Sequence, residues 1–188
     1  MTRVGVRISG GSARGRRLHS SASGGARPTS ARVRGAIFSM VEARGLEGAV
    51  VLDLFAGTGS LGLEALSRGA SHADFVERDP RQCRVLRTNL AATGFTSQAQ
   101  VYCAPVERAL TFLKGPYRFI FMDPPYKLLD LDAMLGTLAA AHILTPGGVA
   151  VVGHSKRLSL RERYGDLVHV GLYRYGDSVV DLLQREAQ

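Results

Sequence analysis

An acid, two prolines and a tyrosine, Asp123-Pro124-Pro125-Tyr126, follow the apolar run Ile120-Phe121-Met122. The combination suits alkylation of an exocyclic amine on a nucleic-acid base. Such an amine is a poor nucleophile because its lone pair is delocalised into the ring. Two acceptors on its hydrogens draw the lone pair toward an incoming methyl. The Asp123 carboxylate can be one acceptor and the Pro124 carbonyl the other, and Pro124 and Pro125, which have no donor, expose carbonyls along a rigid path. Tyr126 offers a face on which a base stacks, worth about 1–3 kcal/mol in single-strand binders. Asp123 is not assigned as a strong base, since the amine becomes acidic only after methylation; alignment supplies most of the rate. The target base must be unstacked or already in a loop to reach this motif. Read alone, the four residues have a plainer reading as a tight turn, since prolines and Asp are common turn residues.

A second motif lies upstream. Gly57-Thr58-Gly59-Ser60-Leu61-Gly62 matches G-x-G-x-x-G, with Glu77 placed 20 residues beyond Gly57. Glycines let a backbone approach a ligand closely, and an acid ending the next strand accepts hydrogen bonds from ribose hydroxyls. That physics serves a dinucleotide or S-adenosyl-L-methionine. Asp53 separates them: in Asp53-Leu54-Phe55-Ala56-Gly57-Thr58-Gly59 an acid ends the first strand, where it can pair with the amino group of a methionine moiety but would repel a pyrophosphate.

These motifs need strand ends to hold them. From Ala49 onward, short apolar runs alternate with helical segments, the pattern of a parallel sheet covered by helices. Strands are expected at 50–54, 73–77, near 100–103, 117–122 and 149–153. Helices are expected after the glycine turn, from an Asp79-Pro80 start to a stop at Gly94, and at about 105–113 and 130–141. Thr145-Pro146-Gly147-Gly148 reads as a turn, and 167–173 with 178–183 as an antiparallel hairpin around Gly176-Asp177. The fold class is therefore α/β, a Rossmann-like methyltransferase sheet of seven strands ending in that hairpin. Ahead of it stands a small basic extension: a hairpin from Val4 to Leu18, a Ser/Gly/Ala-rich connector ending at Arg27-Pro28-Thr29, and a helix at about 31–44. The boundary falls near residue 45, giving an extension over 1–45 and a catalytic domain over 46–188.

The chain has 188 residues and a formal charge of +8. All of that excess lies in residues 1–41, where eight arginines and no acid occur; the remainder holds 16 basic and 16 acidic residues. An Arg-studded ribbon followed by a basic helix face points to a polyanion, with Arg7, Arg14, Arg16, Arg17, Arg27, Arg32 and Arg34 as contacts. A disordered basic tail is the alternative. No run approaches the roughly 18–20 apolar residues of a membrane span, no signal-peptide core is visible, and a soluble cytoplasmic monomer is expected. The five histidines lack ligand spacing, so no metal is expected. Cys83 and Cys103 lack zinc-site spacing and read as buried structural thiols. The Pro-Cys nucleophile of a C5-pyrimidine methyltransferase is missing.

Arg7-Ile8-Ser9-Gly10-Gly11, Gly15-Arg16-Arg17-Leu18, Arg27-Pro28-Thr29, Arg32-Val33-Arg34, the run from Leu52 to Gly59, the run from Leu61 to Ala70, and Asp123-Pro124-Pro125-Tyr126 together closely resemble the RsmD family of bacterial 16S rRNA guanine-N2 methyltransferases. The resemblance spans nearly the whole chain. It implies methyl transfer from S-adenosyl-L-methionine, leaving S-adenosyl-L-homocysteine, to one guanine of 16S rRNA in the 30S subunit or an assembly intermediate, with the N-terminal arm gripping the rRNA. It also implies cofactor contacts from Asp53, Phe55, Gly57, Thr58, Gly59, Glu77, Arg78 and the Cys103-Ala104 segment, and catalytic roles for Asp123, Pro124, Pro125 and Tyr126. The chain departs from the family at Ala31, Gly35 and Gly153, where acids are common. An adenine-N6 DNA methyltransferase would use the same three acids, but 188 residues leave little room for its target-recognition domain. A non-enzymatic RNA-binding protein or an NAD-dependent dehydrogenase would not need both motifs intact.

Overall fold

A computed structural model describes residues 6–20, 31–125 and 130–187. Its elements are α1 (Ala31–Glu42), β1 (Val50–Leu54), α2 (Ser60–Ser67), β2 (His72–Glu77), α3 (Pro80–Thr93), β3 (Ala99–Cys103), α4 (Val106–Ala109), β4 (Tyr117–Met122), α5 (Leu131–Ala141), β5 (Leu144–Ser155), β6 (Arg163–Tyr164), β7 (Leu167–Tyr175) and β8 (Ser178–Arg185). The strands form one sheet in the order β3-β2-β1-β4-β5-β8-β7-β6. The five on the β3 side, through β5, pair in parallel and the rest antiparallel. Alternation along each strand sorts the core into two layers. Val51, Phe119, Phe121, Val151, Val180 and Leu182 join α1, α2 and α3, whereas Leu52, Leu54, Ile120, Met122, Val152 and Leu183 join α4 and α5.

The α3 boundaries follow the expected chemistry: Asp79 accepts a hydrogen bond from the Arg81 N–H, Pro80 opens the helix, and Gly94 closes it at φ 83°. Four expectations change. The sheet has eight strands, because two residues before β7 pair with it as β6. The helix expected at about 105–113 keeps regular form only over α4. Thr145-Pro146-Gly147-Gly148 lies within β5, where pairing jumps from Tyr117↔Leu144 to Phe119↔Val149; Pro146 has no N–H for the ladder, so the strand bulges instead of ending. Cys83 and Cys103 form a disulfide with Cα atoms 6.1 Å apart. Cys83 is buried but Cys103 is exposed, because α3 lies over the end of β3, a juxtaposition that sequence spacing did not reveal.

The N-terminal segment is part of the same core. A single bridge joins Arg7 to Arg17, and Ile8, Ala13 and Leu18 are buried together with Val33, Ile37 and Phe38 of α1. Its anchor is Glu64 of α2, which is wholly buried. That carboxylate accepts hydrogen bonds from the Ser9 N–H and the Gly10 N–H, each at 2.8 Å, and from the Ser9 hydroxyl at 2.7 Å. Arg68 Nε lies at 2.8 Å and Arg34 Nε at 3.3 Å. Burial alone would raise the Glu64 pKa, but the Ser9 hydrogen bonds and the two guanidiniums outweigh it and hold the group below its ordinary value. Gly11 permits the close approach. At φ +74°, a Cβ there would fall 1.6 Å from the Ser67 carbonyl oxygen.

Glu64→Ala leaves Arg34 buried without its counter-charge, and urea denaturation is expected to show a loss of about 3–5 kcal/mol; a loss below about 1 kcal/mol would contradict this anchor. Because the folded-state pKa is depressed, the stabilisation is present above the ordinary carboxylate pKa and disappears as pH falls through the lower folded value.

Candidate active site

The parallel strands end at one edge of the sheet, and the motif residues converge there. Asp53, near the end of β1, is 2% exposed, and its Oδ2 accepts the Gly62 N–H at 2.9 Å. The chain then reverses at Phe55, whose φ of 64° is left-handed and costs a non-glycine residue energy. Gly57 and Gly59 carry the turn into α2. A Cβ at Gly59 would lie 2.2 Å from Leu86 Cδ1, whereas one at Gly57 would meet nothing within 4 Å. The loop is thus packed below and open above. Glu77, ending β2, ties the neighbouring turns together: Oε2 accepts the Gly57 N–H and Oε1 the Asp79 N–H, both at 2.8 Å.

One positioning residue escaped the sequence reading. Asn89 of α3 is fully buried; its Nδ2 donates to the Thr58 carbonyl at 2.9 Å and to the His19 carbonyl at 3.1 Å, and its Oδ1 accepts the His19 N–H at 2.7 Å. It joins the glycine loop to the N-terminal arm. The available signal was an amide on the apolar stripe Leu86-Asn89-Leu90-Thr93, which a periodicity reading passes over.

Asp123 follows β4 on the same face as Asp53, and Pro124 beside it is buried. Its carboxylate lies against β5. A Cβ at Gly153 would fall 2.8 Å from Asp123 Oδ1, so the missing side chain at 153 makes room for this acid. Asp53, Glu77 and Asp123 therefore share one edge. Burial pushes Asp53 up to about 7; the Gly62 amide opposes this, while the negative charges of Asp123 and Glu77 add to it. A three-carboxylate site of this kind favours a cationic ligand and repels a pyrophosphate.

Residues 6–184 match the family described as Conserved hypothetical protein 95. YlbH of Bacillus subtilis is 40% identical over 174 residues, 91% of this chain and 94% of that one. The ribosomal RNA small subunit methyltransferase D of Escherichia coli is 43% identical over 136 residues, 71% of this chain and 66% of that one. The chain belongs to the RsmD family. In three dimensions the hypothetical protein TTHA0928 of Thermus thermophilus superposes with a TM-score of 0.83 at 38% identity, covering 94% of this chain and 98% of that one.

This RsmD-family chain is a methyltransferase that uses S-adenosyl-L-methionine and releases S-adenosyl-L-homocysteine. The site fits that cofactor. Asp53 is a buried acid able to take an ammonium, Glu77 retains lone pairs that ribose hydroxyls could use, and the Gly57 side of the loop is open. The Cys103-Ala104 segment sits beside Glu77, but the Ala104 N–H already donates to the Glu77 carbonyl at 3.0 Å and the Cys103 thiol is in the disulfide. Arg78 is exposed. Tyr126 and Arg27 lie outside the described residues. Arg7, Arg14, Arg16, Arg17 and Arg32 are exposed. Arg34 is the correction: it is 2% exposed, bonded to Glu64 and to the Arg7 carbonyl, because its helix face turns into the docked arm and not toward solvent. Among the described residues no helix is long and apolar enough to cross a membrane.

Cofactor binding should follow Asp53. Its carboxylate is neutral below about 7 and pairs with the cofactor ammonium only when ionised, so S-adenosyl-L-homocysteine affinity by calorimetry is expected to weaken as pH falls through that value. Asp53→Asn should bind weakly at every pH, without that dependence; a pH-independent wild type would refute the pairing.

Proposed function

We propose that the chain methylates the exocyclic N2 amine of one guanine in 16S rRNA, on the 30S particle or an assembly intermediate, and works as a monomer. The observation that carries this reading is the pairing, on one sheet edge, of an acid that favours a cationic cofactor with Asp123-Pro124 as a two-acceptor clamp for an amine. Its substrate half is supported by relatives named for rRNA of the small subunit and by an arm rich in exposed arginines.

S-adenosyl-L-methionine supplies a methyl group on a sulfonium sulfur. The chain's own residues do the rest. Asp53 holds the cofactor's ammonium, and Glu77 its ribose while keeping the glycine loop closed. Asp123 and the Pro124 carbonyl accept the two amine hydrogens, which turns the nitrogen lone pair toward the methyl; Pro125 stiffens that path and Tyr126 stacks the base. Gly153 leaves Asp123 the room to take this position. Residues 1–45 act as a nucleic-acid-gripping extension of the catalytic domain 46–188, with Arg7, Arg14, Arg16, Arg17, Arg27 and Arg32 toward phosphates.

Purified protein, labelled cofactor and 30S particles lacking endogenous methylation should yield N2-methylguanosine at a single site, identified by mass spectrometry of the digested rRNA. Asp123→Ala is expected to lower kcat by about 10²–10³-fold, the scale of losing one aligned polar group, while S-adenosyl-L-homocysteine affinity is retained. Gly153→Ala, which crowds Asp123, should lower kcat in the same direction. Methylation of DNA adenine with no product in rRNA would overturn the substrate assignment.

A further inference from the structure

The glycine loop is held from two sides. Glu77 of β2 accepts the Gly57 N–H at 2.8 Å, and Asn89 of α3 donates to the Thr58 carbonyl at 2.9 Å. The loop also lies directly on α3, since a Cβ at Gly59 would fall 2.2 Å from Leu86 Cδ1, one turn before Asn89. The rest of the Asn89 amide meets the backbone of His19 as a neighbouring strand would, donating to the carbonyl at 3.1 Å and accepting the N–H at 2.7 Å. Both hydrogens of Nδ2 are therefore used, one on the loop and one on the arm.

The arm divides into two limbs. Residues 9–13 dock on α2 through Glu64 and Ser67. Residues 16–20 lie against α3, where Arg16 Nη1 donates to the Ala92 carbonyl at 2.7 Å and His19 pairs with Asn89. Within 16–20 only Leu18 is buried, so this limb is seated by one apolar side chain and those polar contacts, the profile of a segment that opens locally before the rest of a fold. Opening it removes two of the three hydrogen bonds that orient the wholly buried Asn89 amide. With that orientation goes the hold on Thr58.

We propose that Asn89 couples the seating of residues 16–20 to the shape of the glycine loop, so that RNA on the arm and cofactor on the loop each strengthen the binding of the other. The limb is the two-state element and Asn89 the contact that both sites share. Such coupling is reciprocal: a substrate that favours the seated limb preforms the loop, and a cofactor that favours the formed loop seats the limb by the same factor. Asn89 is a positioning residue, acting through the backbone of Thr58 and His19. The RNA half rests on the proposed action on rRNA; the link between limb and loop does not.

The first test is amide hydrogen exchange of the full chain with and without saturating S-adenosyl-L-homocysteine, and it needs no variant. The His19 amide is expected to exchange about 5–20-fold more slowly with the ligand bound, in the lower part of the range for coupled sites, while the Gly10 amide, held by Glu64, changes by less than about twofold. An unchanged His19 amide, or equal slowing at Gly10, which is general stabilisation by a ligand, would overturn the coupling. The second test is S-adenosyl-L-homocysteine affinity by equilibrium dialysis with and without 30S particles. Wild type should bind about 5–20-fold more tightly with the particles present. Asn89→Ala should bind more weakly alone and lose most of that enhancement, with kcat at saturating cofactor near the wild-type value; a variant that keeps the full enhancement would remove Asn89 from the link. Slowed exchange at His19 without any tightening by 30S particles would instead overturn RNA as the ligand of the arm and leave the link between limb and loop standing.

Discussion

The rest of the structure depends on a buried carboxylate. Glu64 sits in the helix that begins at the glycine loop, and its oxygens are occupied by Ser9, Gly10, Arg34 and Arg68. An uncompensated charge in that position would be strongly destabilising, so the sheet domain is complete only when the N-terminal segment delivers its donors. In turn Arg68 lies with its guanidinium carbon 5.4 Å from the ring centre of Phe38, and Phe38 packs at 5.5 Å on Phe121 of β4. A continuous path of contacts therefore runs from the arm through α2 and α1 to the strand that presents Asp123. Asn89 closes a second path, from His19 to the glycine loop.

The face that carries the candidate site acids follows from strand periodicity. Asp53 comes two residues after Val51 and Asp123 two after Phe121, and both apolar residues belong to the layer under α1 and α2. The acids consequently emerge on the side already occupied by the arm. The opposite layer closes over α4 and α5 and carries a different polar feature, Asp181, which accepts hydrogen bonds from His154 and His169. Burial opposes the charged state of both partners there, but the hydrogen bonds win, raising His154 and lowering Asp181.

Charge is divided between two zones. At the sheet edge the carboxylates of Asp53, Glu77 and Asp123 repel one another, and a cationic ligand relieves that repulsion. Outside it Arg7, Arg14, Arg16, Arg17 and Arg32 are exposed and, among the described residues, make no ion pair, an arrangement that attracts a polyanion. Arg34 is the exception that shows how the two zones are separated: a guanidinium turned inward to a carboxylate supports the fold, whereas Arg32, two residues earlier, stays at the surface.

Much of this was legible in the amino-acid order. Strand and helix positions follow from apolar periods, the ends of α3 from Asp79-Pro80 and Gly94, and the placing of Asp53, the glycine turn and Asp123-Pro124 at strand ends from the motifs themselves, because those signals are local and depend on residue type at fixed spacing. Four features were decided by tertiary structure: the inward turn of Arg34, the bridge made by Asn89, the pairing of Cys83 with Cys103, and the room that Gly153 leaves for Asp123. Each depends on two segments meeting that are far apart in the chain, such as residue 9 with 64 or 123 with 153. Periodicity specifies which face a side chain takes on its own element, but what lies opposite that face is set by how the layers pack.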